Sequence, residues 1–290
     1  MEGLIVALIT PFLENGDLDV ESFKRLIHFQ IEQGTKSLLI GGSTGEAPTL
    51  SSDELDLLIF TAVKEARGRI SIIAGVGTYN TKATIEKTIQ AKKLGADSCL
   101  VVFPYYNRPV FEGCLAHFKA IASIELPIIV YYHPGRTGLT LSTHQLAELC
   151  SLPGILALKD CSGNVKQALE VMKLCKKTLF SGDDSLTLPF MEGGAHGLIS
   201  VLGNLFPYEW NLIINAALNK DMEKARSLYK TMEPLCKVME LETNPQCIKY
   251  AMSLMGHCSS VFRLPLLSPQ RRVRERIEEE LRLLHALTSV

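Results

Sequence analysis

The sequence predicts a (β/α)8 barrel of the TIM type followed by a C-terminal helical extension. Three observations carry that prediction. Eight short apolar, β-rich runs recur along the first two hundred residues, amphipathic stretches with helix start and stop signals separate them, and beyond about residue 220 the strand-like runs cease.

The expected strands are residues 4–10 (LIVALIT), 37–42, 71–77, 99–106, 127–132, 155–160, 178–183 and 197–202. They are near-continuous hydrophobic runs rather than alternating ones, the pattern of parallel strands covered on both faces. Helix signals stand between them. One segment opens at Asp19 and stops at Gly34, a second carries a serine cap at Ser51–Ser52 with acids in its first turn, and a third runs from Asn80 to Gly95. A doubly wound open sheet is the alternative, but it rarely needs eight parallel strands in about two hundred residues, so the closed barrel is preferred. Residues 1–220 are assigned to the barrel and 221–290 to a helical region, with no low-complexity linker between them.

Composition narrows the function. The 290 residues carry a formal net charge of −1 and are 47% hydrophobic and 21% charged. That balance offers no electrostatic footprint for nucleic acid, and the basic run at 270–276 is followed at once by acids, as on a solvated helix face. No apolar run reaches the roughly 18–20 residues of a membrane span, and the first residues lack the basic start of a signal peptide. Eight scattered cysteines show neither C-x-x-C pairs nor zinc-ligand spacing, so no metal is expected and a reducing cytoplasm is.

In such a barrel the chemistry lies at the C-terminal ends of the strands. Those ends read GGSTGE, PYYN, YYHPGRTG, LKDCSGN, SGDD and ISV. They hold one lysine, several hydroxyls and one arginine, and no convergent metal set. The lysine, Lys159, closes the apolar run ILAL. With Ile155 and Ala157 it falls on one face by the period of two, expected to be the barrel interior. This inventory suits amine catalysis on a carbonyl, in which a desolvated lysine forms a Schiff base. Each piece also has a plain structural reading. Without context Lys159 is better read as a strand-end surface lysine, while GGSTGE also reads as a turn or an anion-binding loop, the tyrosines also as packing, and Arg136 as a loop charge or a carboxylate grip. SGDD is better read as a cap for the helix after it than as catalytic. His133, His144 and His196 have no paired partner in sequence and suggest core or surface roles.

Taken in order, GGSTGEAPTLS, PYYNRP, YYHPGRTG, ALKDCSGN, FSGDD, GLISV and ETNPQCIKYAM…FRLPL resemble the dihydrodipicolinate synthase family, among the pyruvate-dependent class I aldolases that include N-acetylneuraminate lyase. The resemblance spans about residues 4 to 267. It implies that Lys159 condenses with pyruvate, without a cofactor, and that the enamine attacks L-aspartate-4-semialdehyde, giving 4-hydroxy-tetrahydrodipicolinate on the diaminopimelate route to lysine. It further implies a proton relay of Tyr131, Ser43 and Tyr106, with Tyr106 reaching in from a neighbouring subunit. Thr44 would hold the pyruvate carboxylate and Arg136 that of the semialdehyde. Ile199 would offer a backbone carbonyl near the amine, and Gly182 would line the substrate pocket. A tetramer made of two dimers is the implied assembly.

Departures from the family pattern matter. Ser43 replaces a commoner threonine but keeps the hydroxyl. YYH replaces Tyr-Asn-Val, which leaves Tyr132 as a competitor to Tyr131. The arginine at 136 favours a dicarboxylic acceptor over a sugar acid, the substrate of the sugar-acid lyases and dehydratases that are the alternative within the group. A catalytically silent barrel is the remaining alternative. Where the family's lysine feedback site has polar groups, this chain has Ala47, Pro48, Ser52, Leu55, Tyr79 and Ala83, so insensitivity to lysine is expected.

Overall fold

The computed structural model describes residues 1–288, with side-chain burial through residue 284. Eight parallel strands close on themselves in chain order: β1 (Gly3–Ala7), β2 (Ser37–Ile40), β3 (Ser71–Gly75), β4 (Ser98–Val102), β5 (Ile128–Tyr132), β6 (Ile155–Asp160), β7 (Thr178–Ser181) and β8 (Gly197–Ser200). β8 pairs back onto β1 through Gly3–Gly197 to Val6–Ser200. The connecting helices are α1 (Val20–Glu32), α2 (Ser52–Ala66), α3 (Thr81–Lys93), α4 (Phe111–Ala122), α5 (Pro134–Thr137) with α6 (Thr143–Cys150), α7 (Val165–Cys175) and α8 (Thr187–Glu192). Four helices follow β8: α9 (Pro207–Leu218), α10 (Met222–Met239), α11 (Gln246–Leu254) and α12 (Arg271–Thr288). Among the described residues no helix is long and apolar enough to cross a membrane.

The helix signals act as expected. The Asp19 side chain accepts the Ser22 N–H at the start of α1, Ser51 and Glu54 form a reciprocal capping box on α2, and Asn80 caps α3. Each cap contributes about 1 kcal/mol by satisfying an otherwise unpaired donor. Strand ends are the systematic difference. The apolar runs predict strands that continue to residues 10, 42, 77, 106, 183 and 202, whereas the ladders stop at 7, 40, 75, 102, 181 and 200. At each end the backbone leaves the ladder to build the barrel mouth. Its apolar character persists because loops folded over the mouth still bury it: Leu8, Ile9, Val76, Phe103 and Leu202 are all buried.

Two apolar layers result. Ile5, Ala7, Leu39, Ile73, Leu100, Ile129, Ala157, Phe180 and Ile199 fill the interior, and a larger layer lies between strands and helices. β6 departs from simple alternation. Ile128 pairs with Ile155 but Ile129 pairs with Ala157, so one residue of β6 bulges out of register. Ile155 therefore packs in the outer layer while Leu156 packs against the interior, and only Ala157 and Lys159 share the inner face. The expectation that Ile155 joins them fails because a bulge resets the period of two.

The C-terminal helices are tied to the mouth by charge. Arg263 grips the Glu54 carboxylate with both terminal nitrogens, donates to the carbonyls of Gly16 and Thr49, and lies 4.3 Å over the Phe12 ring. These hydrogen bonds hold the Glu54 carboxyl down from an ordinary 4.5 to about 2. A carboxyl lowered on folding stabilises the chain above its unfolded pKa, and that contribution fades as pH falls from about 4.5 towards 2. Glu54→Gln, which keeps the capping box, is expected to cost about 1–2 kcal/mol near pH 7, after allowance for solvent screening. Urea unfolding at neutral and at acid pH checks this, since the variant and the parent converge in acid.

Candidate active site

Lys159 occupies the inner face of β6, opposite Tyr131 of β5 and Phe180 of β7. Only 6% of the residue is exposed, and its Nζ lies 4.5 Å from the centroid of the Tyr131 ring. Among the described residues it has no ion-pair partner within 4 Å. Such burial requires an aperture for a reactant rather than for solvent. A cavity of about 120 Å³ meets Lys159 together with Ser43, Thr44, Tyr131, Arg136 and Gly182. Six of the eight expected site residues thus share one space.

Both tyrosines at 131–132 are buried, and Tyr131 is the one that faces the barrel interior and the cavity. It lines the cavity beside Ser43 and Cys161, and burial raises its pKa well above the ordinary value. Tyr132 points to the other face of the sheet, where its oxygen accepts the Leu141 N–H at 2.9 Å. Strand alternation therefore separates the two candidates. Gly182 is required by close approach: a Cβ there would stand 2.1 Å from the Cys161 Sγ and 2.7 Å from the Lys159 Cε. Ile199 lies one layer below, wholly buried with Ala157 and Phe180, and does not line the cavity. Tyr106 is elsewhere. It is 90% exposed on the loop after β4, with φ of 68°.

Several residues at the cavity had no assigned role. Asn244, just before α11, donates from its amide to Thr44 Oγ1 at 3.0 Å, and its backbone carbonyl accepts from the Arg136 guanidinium at 3.1 Å. Its side-chain oxygen is buried with no hydrogen-bond partner. Asn244 sits 200 positions from Thr44, and no local pattern signals that contact. His133 caps α5 by accepting the Arg136 N–H, and its ring stands edge-on to Tyr131. Burial first, then the charges of Arg136 and Lys159, lower its pKa to about 4, so its imidazole is neutral near pH 7. His133 thus has a place at the cavity wall rather than a core or surface role.

The expected cap at SGDD is not made. Neither aspartate's side chain caps the short turn or helix that follows. Asp184 instead accepts from the Ser200 hydroxyl and from the Val201 and Leu202 N–H groups, pinning the end of β8. Tertiary donors outbid the local ones because β8 ends beside β7 with free amides. Burial raises the Asp184 carboxyl to about 6. A second, wider cavity of about 580 Å³ opens from the same Ser43, Tyr131 and Arg136 towards Leu55, Tyr79 and Tyr105. Among the described residues no cluster of His, Cys, Asp and Glu is placed to hold a metal.

A closed parallel barrel with this mouth is that of a lyase of the class I aldolase type. Comparison with known proteins is specific. A profile of the dihydrodipicolinate synthetase family matches residues 1–284. The 4-hydroxy-tetrahydrodipicolinate synthase of Protochlamydia amoebophila is 42% identical over 272 residues, 92% of this chain and 91% of that one. The crystal structure of dihydrodipicolinate synthase from Aquifex aeolicus superposes with a TM-score of 0.96 at 41% identity, covering 98% of both chains. A monomeric dihydrodipicolinate synthase variant also superposes, with a TM-score of 0.95 at 34% identity over 98% of this chain and 97% of its own. The chain belongs to the dihydrodipicolinate synthetase family.

Proposed function

We propose that this chain is a 4-hydroxy-tetrahydrodipicolinate synthase, joining pyruvate to L-aspartate-4-semialdehyde in the diaminopimelate route to lysine. The observation that carries the reading is Lys159, an amine without an ion-pair partner among the described residues, buried at a strand end in one cavity with Ser43, Thr44, Tyr131 and Arg136. The Lys159 Nζ attacks pyruvate C2 and water leaves, forming the imine. Loss of a C3 proton gives the enamine, whose C3 adds to the aldehyde carbon. The α-amino group of the adduct then attacks the imine carbon, closes the ring and frees Lys159. The imine is the electron sink, so the chemistry calls for no cofactor or metal.

The remaining residues follow from that sequence of steps. Tyr131 and Ser43 carry protons to and from the carbinolamine, and a phenol with a raised pKa does so without placing a lasting charge beside the imine. Thr44 and the amides of its turn hold the pyruvate carboxylate. Arg136, exposed at the mouth, pairs with the carboxylate of the aldehyde. Gly182 leaves room for the lysine stem. Borohydride with pyruvate should leave a stable adduct on Lys159, located by peptide mass mapping; a folded chain with no adduct would overturn the reading. Arg136→Ala should retain that adduct while losing about a hundredfold or more in kcat/KM for the aldehyde. Sialic acid cleavage in place of condensation would favour a sugar-acid lyase.

Tyr106 is the third member of the proposed relay, supplied across an interface. Its exposure and its left-handed backbone, which costs about 1–3 kcal/mol, are supported by a role that a single chain does not use. The reading therefore includes at least a homodimer, with two dimers forming a tetramer, in a reducing cytoplasm suited to eight free thiols. Residues 1–220 as barrel and 221–290 as helical region is then a division of architecture only, since Asn244 reaches the site. Tyr106→Phe and Lys159→Ala are each expected to be nearly inactive. Chains refolded together should recover activity, because a mixed dimer holds one complete site; no recovery would place Tyr106 in its own chain's site.

Insensitivity to lysine completes the proposal. Ala47, Pro48, Leu55 and Tyr79 line the wider cavity, and both charged groups on its wall, Lys87 and Arg136, are cations. A dibasic amino acid finds no carboxylate there to offset its desolvation. Turnover is expected to be unchanged by millimolar L-lysine, and saturable inhibition in that range would refute this part of the reading.

A further inference from the structure

Glu46 ends the GSTGE turn, and its side chain is used by none of the steps above. It is buried, with φ of 56°, a left-handed conformation held without glycine. Its N–H donates to the Ser43 carbonyl at 3.1 Å, so this conformation closes the turn that presents Ser43 and Thr44. The carboxylate is tied on both oxygens, Oε1 to the Lys249 Nζ at 2.6 Å and Oε2 to the Arg263 N–H at 3.2 Å. Both side chains of the Glu46–Lys249 pair are wholly buried. The ammonium lies 4.0 Å over the Phe12 ring and 5.2 Å from that of Phe262, so aromatic faces take the place of water around it.

Lys249 belongs to α11, whose preceding residues are Asn244 and Pro245. Fixing α11 on Glu46 therefore also fixes Asn244, which holds Thr44 through its amide and Arg136 through its carbonyl. One ion pair thus stands behind both carboxylate-binding elements of the proposed reaction. A buried ion pair is a poor source of net stability, because desolvation offsets most of the attraction. Its directional, two-ended attachment is better suited to setting geometry.

We propose that Glu46 and Lys249 form a positioning pair that sets the pyruvate-binding turn and, through Asn244, registers it against Arg136. The proposal rests on the synthase reading for its substrate, and it is tested with and without that substrate. In the full chain, Glu46→Gln with Lys249→Met removes the ion pair but keeps an acceptor for the Arg263 N–H. Amide exchange of residues 41–46 is expected to quicken by about tenfold or more, with exchange in β1 and β8 unchanged. The pyruvate concentration for half-maximal borohydride trapping should rise by about tenfold, with the trapped fraction at saturation retained.

Parental exchange in the turn together with parental half-saturation would overturn the proposal. So would exchange that quickens equally throughout the barrel, the mark of a merely structural pair. Should the double variant fail to fold, Lys249→Arg, which keeps the charge, must show an exchange rate in the turn above the parent's, and a parental rate there overturns the proposal. A parent protein that pyruvate does not label removes the synthase reading alone, while the exchange arm still decides the positioning role.

Discussion

The lateral pairing of β5 with β6 is the contact on which the site depends. It sets Tyr131 beside Lys159, and the bulge at the start of β6 sets the phase in which both face inward. A period of two has only two phases, and the wrong one would send the lysine into the helix layer. With the extra residue absorbed near Leu156, Ala157 and Lys159 enter the interior while Leu158 and Asp160 leave it. Closure of the barrel then brings Ser43 from after β2 and Gly182 from after β7 to the same amine.

Burial is what gives these groups their chemical character. The Tyr131 phenol, the Asp184 carboxyl and the Cys161 thiol are all raised by loss of solvent, and the His133 imidazole is lowered by it. In each case the neutral form is favoured, as expected where low dielectric penalises charge. The permanent charges are handled differently. Arg136 stays at the exposed mouth, Arg263 is satisfied by a carboxylate and two carbonyls, and Lys249 is enclosed by Glu46 and aromatic rings. The buried groups around the cavity therefore lean to their neutral forms, while Arg136 stands at its exposed mouth.

The helices after the barrel take part in that arrangement. Asn244 bridges Thr44 and Arg136, and Arg263 and Lys249 converge on the turn and helix after β2. What looks in the chain like an appendix packed on one side is, in space, a brace across the mouth. Its apolar residues, among them Met232, Met252 and Ile277, secure it by burial, while Asn244, Lys249 and Arg263 reach back to the turn and helix after β2.

By itself, the sequence determined the barrel, the caps of its first three helices, and the position of Lys159, Ser43, Thr44, Arg136 and Gly182 at strand ends. Those features follow from local rules: capping side chains, continuous apolar runs and the alternation of βα units act over a few residues. Strand ends were overextended because loops buried by other loops keep an apolar composition. Only the tertiary structure decided the β6 bulge, the attachment of Asp184 to β8, and the contacts of Asn244 and of the Glu46–Lys249 pair. The contacts of Asp184, Asn244 and Glu46 depend on donors and acceptors brought together by barrel closure or by the returning C-terminal helices. Hydrogen bonds and desolvation act over a few ångströms of space, and separations of 16 to 203 residues along the chain leave no local trace of these contacts.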